Sequence, residues 1–142
     1  MIKRTLLLIS ILTILMSINS CDQVEQKYLN FNKAKQDELF RKGWIPNEFT
    51  FESMTNICQH TNLDLNTCFF QFNLSSIDLN SLEAYMTPTN ILFENPRSIS
   101  LSKKLPDKIN KLDHYFFIDK RIPDTLFVAI DRSEKLIYGW RK

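Results

Sequence analysis

The sequence predicts a small single α+β domain, with a mostly antiparallel sheet of about four to five strands and two helices packed on one face. Three observations predict it. The length, 142 residues, suits one domain. Eleven Phe, two Trp and four Tyr supply a core for so short a chain and argue against disorder. The local patterns run helix, hairpin, helix and then a three-strand meander, an order that leaves the helices to cover the sheet.

The chain opens with Lys3 and Arg4 ahead of the apolar run at residues 5–18, "TLLLISILTILMSI". Asn19, Ser20 and Cys21 follow, and charge begins at once with Asp22. A basic start, a short apolar stretch and a small residue at the cleavage point make a secretory signal peptide. The run is too short to span a bilayer, which takes roughly 20 apolar residues. Ile18-Asn19-Ser20-Cys21 resembles the lipobox of bacterial lipoproteins, with Asn19 departing from the small residue usual at its place. The resemblance implies a leader at residues 1–20, a lipid on Cys21, a lipidated tether over residues 21–30 and a folded domain over residues 31–142. It also implies a membrane contact made through that lipid. Each buried methylene adds about 0.8 kcal/mol, so two or three acyl chains hold almost permanently. Asp22 resembles the inner-membrane retention signal of enteric lipoproteins, which favours a periplasm-facing position on the inner membrane of the envelope.

Removing residues 1–20 takes away Lys3 and Arg4 and no acid, so sixteen acidic groups face sixteen basic ones. A neutral mature chain gives no case for nucleic acid, which needs concentrated positive charge. With Cys21 acylated, Cys58 and Cys68 remain in an oxidising compartment, where disulfides persist. A bridge between them would contribute about 3 kcal/mol in the chain-entropy model. The alternative is two small buried thiols.

Residues 32–42 read as a helix, with Asn30 or Asn32 as its cap. Asp37 with Arg41, and Glu38 with Lys42, are acid-to-base pairs four apart. Phe31, Ala34, Leu39 and Phe40 would face the core. Gly43 stands at the stop position and Pro46 beyond it. In "GWIPNEF", residues 43–49, Trp44 turns inward at the helix exit or, on a second reading, offers a ligand platform. This corner and the Leu63-Asp64 turn downstream are similar to small uncharacterised bacterial lipoproteins over residues 39–72, a resemblance that implies no activity.

"TCFFQFNL", residues 67–74, alternates and is rich in aromatics, so it reads as a strand. "MTNICQH", residues 54–60, fits a strand or a helix. As a hairpin, the two would set Cys58 across from Cys68. A second helix starts at Ser75 or Ser76 and runs to Tyr85 or Met86, with Leu79, Leu82, Tyr85 and Met86 on one face. Residues 88–112 are irregular, broken by Pro88, Pro96 and Pro106, with one helical turn at residues 107–112. "HYFFIDK", "TLFVAID" and "KLIYGWR", at residues 114–120, 125–131 and 135–141, read as three strands joined by short loops.

No catalytic or cofactor motif stands out. His60 and His114 are the only histidines, and neither shows metal-ligand spacing to a second one. Asn62, Asp64 and Asn66 begin like a calcium loop, but Thr67 stands where glycine belongs and Asn73 where glutamate belongs. An Asx-rich turn is the reading there. No serine lies in a G-x-S-x-G or S-x-x-K setting, and no glycine loop cradles phosphate. The expectation is an envelope lipoprotein that binds a protein or envelope partner, in an immunity, inhibitor or assembly role, without cofactor or metal. Trp44 and Trp140 are its candidate binding surface. The rival readings are a small envelope hydrolase and a structural spacer.

Overall fold

A computed structural model of the chain describes residues 23–90, 109–121 and 124–141. The leader, Cys21, Asp22, Pro96 and Pro106 lie outside these residues. The observed architecture is one seven-stranded antiparallel sheet in the order β1-β2-β3-β7-β6-β5-β4. Its strands are β1 (Gln23–Asn30), β2 (Thr55–Asn62), β3 (Thr67–Asn73), β4 (Thr87–Pro88), β5 (Asp113–Asp119), β6 (Asp124–Asp131) and β7 (Leu136–Arg141). Among the described residues two helices, α1 (Phe31–Gln36) and α2 (Ser76–Glu83), and three single 3-10 turns accompany it. Only α2 exceeds six residues among these segments, so the domain is mostly β and not the α+β arrangement with two packed helices.

Two local findings account for the difference. The stretch expected as one helix over residues 32–42 breaks where Glu38 takes a left-handed φ of 56°. That conformation ends α1, and the chain resumes as a 3-10 turn at Leu39–Lys42. The expected pairs give way to Lys33 with Asp37 (3.4 Å) and Arg41 with Glu38 (2.8 Å). Asn30 is the cap, its side chain accepting from the Lys33 amide, and Gly43 closes the turn at φ 76°. The second finding concerns the expected tether. Residues 23–30 form β1, an edge strand in register with β2 from Gln23 opposite Asn62 to Asn30 opposite Thr55. Val24, Gln26 and Tyr28 alternate with Glu25 and Lys27, a period of two that suits an edge.

Opposed residues in a sheet share a face. One face carries Ile57, Phe70, Phe72, Tyr115, Phe117, Leu126, Val128, Ile130 and Ile137. Ala34, Leu39, Ile45, Phe49, Leu79, Leu82 and Met86 cover it. Phe49 makes T-shaped contacts with the Phe70 and Phe117 rings, centroids 6.4 and 5.1 Å apart. Burying such a ring contributes about 1.5–3 kcal/mol. Ile45 is fully buried, and Trp44 packs half-buried on the same core. α2 keeps Leu79 and Leu82 inward but ends at Glu83, which leaves Tyr85 exposed. The opposite face buries Phe69, Ala129, Tyr138 and Trp140, with Ile109 and Leu112 against them.

The β2–β3 hairpin turns through residues 63–66 without glycine. Asn66 takes the left-handed position at φ 48°, a conformation asparagine tolerates. The Asn62 side chain accepts from the Leu65 amide three residues on, at 3.1 Å, which caps the turn. β3 then pairs with β7, Asn73 opposite Leu136, which joins the hairpin to the meander in one continuous sheet. No helix among the described residues is long and apolar enough to cross a membrane.

Candidate functional site

On the second face, at the β1 edge, four chemically active side chains converge. Register sets Glu25 opposite His60 and Lys27 opposite Cys58. Cys58 and His60 are two apart on β2 and so point the same way. The Cys58 Sγ lies 3.1 Å from His60 Nε2, and Glu25 Oε1 lies 3.6 Å from the same nitrogen. Lys27 Nζ sits on Glu25 Oε1 at 2.7 Å. That hydrogen bond and the carboxylate's charge hold the Lys27 ammonium's pKa above its ordinary value. The His60 ring stacks on Phe69 with centroids 6.1 Å apart, which fixes its plane. Cys58 is buried, His60 largely so, and Glu25 reaches solvent.

Sulfur, nitrogen and carboxylate oxygen here lie within 4.8 Å of one another. A cysteine nucleophile served by a histidine base needs the acid on the other ring nitrogen, where it fixes the tautomer. Here thiol and carboxylate both approach Nε2, so the geometry is convergent and not a relay. A hollow of about 300 Å³ opens beside Cys58, walled by Lys27, Tyr28, Asn56 and Gln71.

Two other charged clusters tie elements together. Arg132 bonds Glu83 at 2.7 Å, Asp113 at 2.6 Å and the Tyr115 hydroxyl at 2.9 Å, joining α2 to the meander. A hollow of about 470 Å³ lies beside it, lined in part by Asn90, Asn110 and His114. The His114 Nε2 donates to the Ile109 carbonyl at 2.8 Å, since a carbonyl can only accept. That ring therefore anchors a turn. The third cluster, Asp119 with Arg121 and Arg141, closes the far end of the sheet.

The residues singled out from the sequence are distributed differently. Trp140 is buried, stacked on Phe127 at 6.0 Å and edge-on to His114, so it offers no free binding surface. Trp44 rests on the core as a corner post. Among the described residues no disulfide joins Cys58 to Cys68. The hairpin forms, but its register sets Cys58 opposite Gln71 and Cys68 opposite Thr61. The two cysteines are therefore offset along the hairpin, and an odd offset puts them on opposite faces. Cys68 lies in the main core, where burial pushes its thiol pKa far up. Alkylating the unfolded, unreduced protein is expected to tag both Cys58 and Cys68 in mass mapping. A linked peptide pair would contradict the register.

Glu25 was invisible to sequence reasoning because it sits 35 positions from His60. The Cys58-x-His60 spacing was the legible signal, once residues 55–62 are taken as a strand. Residues 22–73 match the model of the YbbD head domain, which spans β1 to β3 and holds Glu25, Cys58 and His60. The match covers 52 of the chain's 142 residues. No curated protein and no solved structure matches the chain.

Proposed function

We propose that this chain is a bacterial envelope lipoprotein, acylated on Cys21, whose sheet domain binds a protein or envelope component in an accessory role. The observation that carries the reading is a coincidence of boundaries. The match to the YbbD head domain begins at residue 22, one position after the cysteine of Ile18-Asn19-Ser20-Cys21. A lipid-bearing terminus and the start of a folded domain thus fall together.

The fold fits that anchor. β1 starts at Gln23, two residues after Cys21, which gives a reach of about 7 Å. Gln23 pairs with Asn62 beside the β2–β3 turn. Leu63 and Leu65 stand exposed on that turn and Val24 beside it. A lipid on Cys21 would hold this apolar end of the sheet at the bilayer, with the β6–β7 turn at the opposite end of the strands. Among the described residues β1 is the outermost strand of the sheet, a position that suits docking of a partner.

Labelled palmitate fed to a bacterial host making the full chain is expected to enter the parent and not Cys21→Ala. An unlabelled parent, or label persisting in Cys21→Ala, would overturn the reading.

A further inference from the structure

We propose that Glu25, Cys58 and His60 form a binding site for one zinc-class divalent cation, with the fourth coordination position open beside Cys58. The argument begins with donor chemistry. Thiolate, imidazole and carboxylate are the three protein donors that zinc takes, and three such ligands with one open position is the usual arrangement of a reactive zinc site. Tetrahedral bonds of about 2.0–2.3 Å put neighbouring ligand atoms roughly 3.4–3.6 Å apart. The thiol and carboxylate lie 3.1 and 3.6 Å from His60 Nε2, and all three donors fall within 4.8 Å. The pocket thus has the span of a metal sphere before any metal arrives.

Preorganisation comes from the strands. Cys58 and His60 alternate on β2 and Glu25 stands across from His60 on β1, so paired backbone carries all three ligands. Phe69 fixes the plane of the His60 ring. The open side gives onto the 300 Å³ hollow, through which water or a small ligand could reach the fourth position.

Lys27 is the built-in competitor. Its ammonium holds the Glu25 oxygen at 2.7 Å, as a monovalent stand-in for a cation. Metal entry releases the Cys58 proton to solvent and leaves Lys27, a largely exposed side chain on the strand edge, to swing into water. Thiolate and carboxylate then balance the ion's two charges with a neutral imidazole.

The test is a cobalt(II) titration of the full chain, freed of metal by chelation and kept reduced. One equivalent is expected to give a thiolate-to-cobalt charge-transfer band with tetrahedral visible bands, both bleached by added zinc. Cys58→Ser should lose the charge-transfer band, while Cys68→Ser, on the opposite face, keeps it. Glu25→Gln and His60→Ala should each weaken binding by at least about tenfold. Lys27→Ala, which removes only a solvent-exposed side chain, should tighten it. A parent without the charge-transfer band overturns the proposal. So does a band that survives Cys58→Ser or disappears with Cys68→Ser. Should Cys58→Ser fail to fold, Lys27→Ala still decides, since unchanged or weaker cobalt binding there contradicts a site gated by that ammonium.

Discussion

Asp119→Ala is expected to lower the unfolding free energy by about 3–5 kcal/mol, the usual effect of stripping one partner from a buried ion pair. Asp119 ends β5 and Arg141 ends β7, and both side chains are almost fully buried. The Arg141 guanidinium donates to Asp119 Oδ2 at 2.9 Å, spanning the strand between them. Arg121 adds its backbone amide and two side-chain donors to the same carboxylate. Among the described residues the Arg141 Nε has no hydrogen-bond partner, so Asp119 is the acceptor that compensates this charge. Without it, a buried cation stands alone. Removing both partners in Asp119→Ala with Arg141→Met should cost less than the single change.

The same carboxylate predicts a pH dependence. Burial acts to raise its pKa, but the donors of Arg121 and Arg141 outweigh burial and hold it at about 2. The folded value lies below the unfolded one, near 3.9, so the contribution is complete above about pH 4 and fades as pH falls toward 2. Its size is about 2–3 kcal/mol. Urea midpoints of the parent and Asp119→Asn should therefore converge across that acid window. A gap that stays constant from pH 7 to pH 2 would show that ionised Asp119 contributes nothing.

Gly139→Ala is the second large effect. Gly139 lies on β7 directly opposite Phe70 on β3, and the Phe70 ring lies over its Cα. A Cβ there would overlap three ring carbons of a fully buried side chain. Phe70 is also stacked beside Phe72 at 5.8 Å and near-perpendicular to Phe49 at 6.4 Å, so it has no room to retreat. Overpacking of this kind costs about 1–3 kcal/mol. The φ of Gly139 is not in the left-handed region, so the penalty is steric and not conformational. Thermal melts should show the loss, and Phe70→Leu combined with Gly139→Ala should cost less than the sum of the two. A neutral Gly139→Ala would mean that the core here is not close-packed.

The period-two aromatic patterns around Phe69, Phe117, Val128 and Tyr138 made β3 and the three-strand meander legible without any structure. Caps and stops were legible for the same reason. Asn30, Gly43 and Ser75 act through backbone groups a few residues away, and those distances are written in the chain. The helix expected over residues 32–42 does not form in one piece, because Glu38 adopts a left-handed backbone that nothing in its side chain announces.

Residues 23–30 carry polar side chains at most positions and therefore resemble a linker. They become β1 only because the exposed edge of β2 pairs their backbone. The candidate site has the same origin. The sequence by itself determined which residues alternate and where helices start and stop, since those depend on near neighbours. Tertiary structure alone decided that Cys58 and Cys68 face apart, that Trp140 is buried, and that Glu25 meets His60. Each of those outcomes depends on strand register, and register is set by hydrogen bonds and packing between segments distant along the chain.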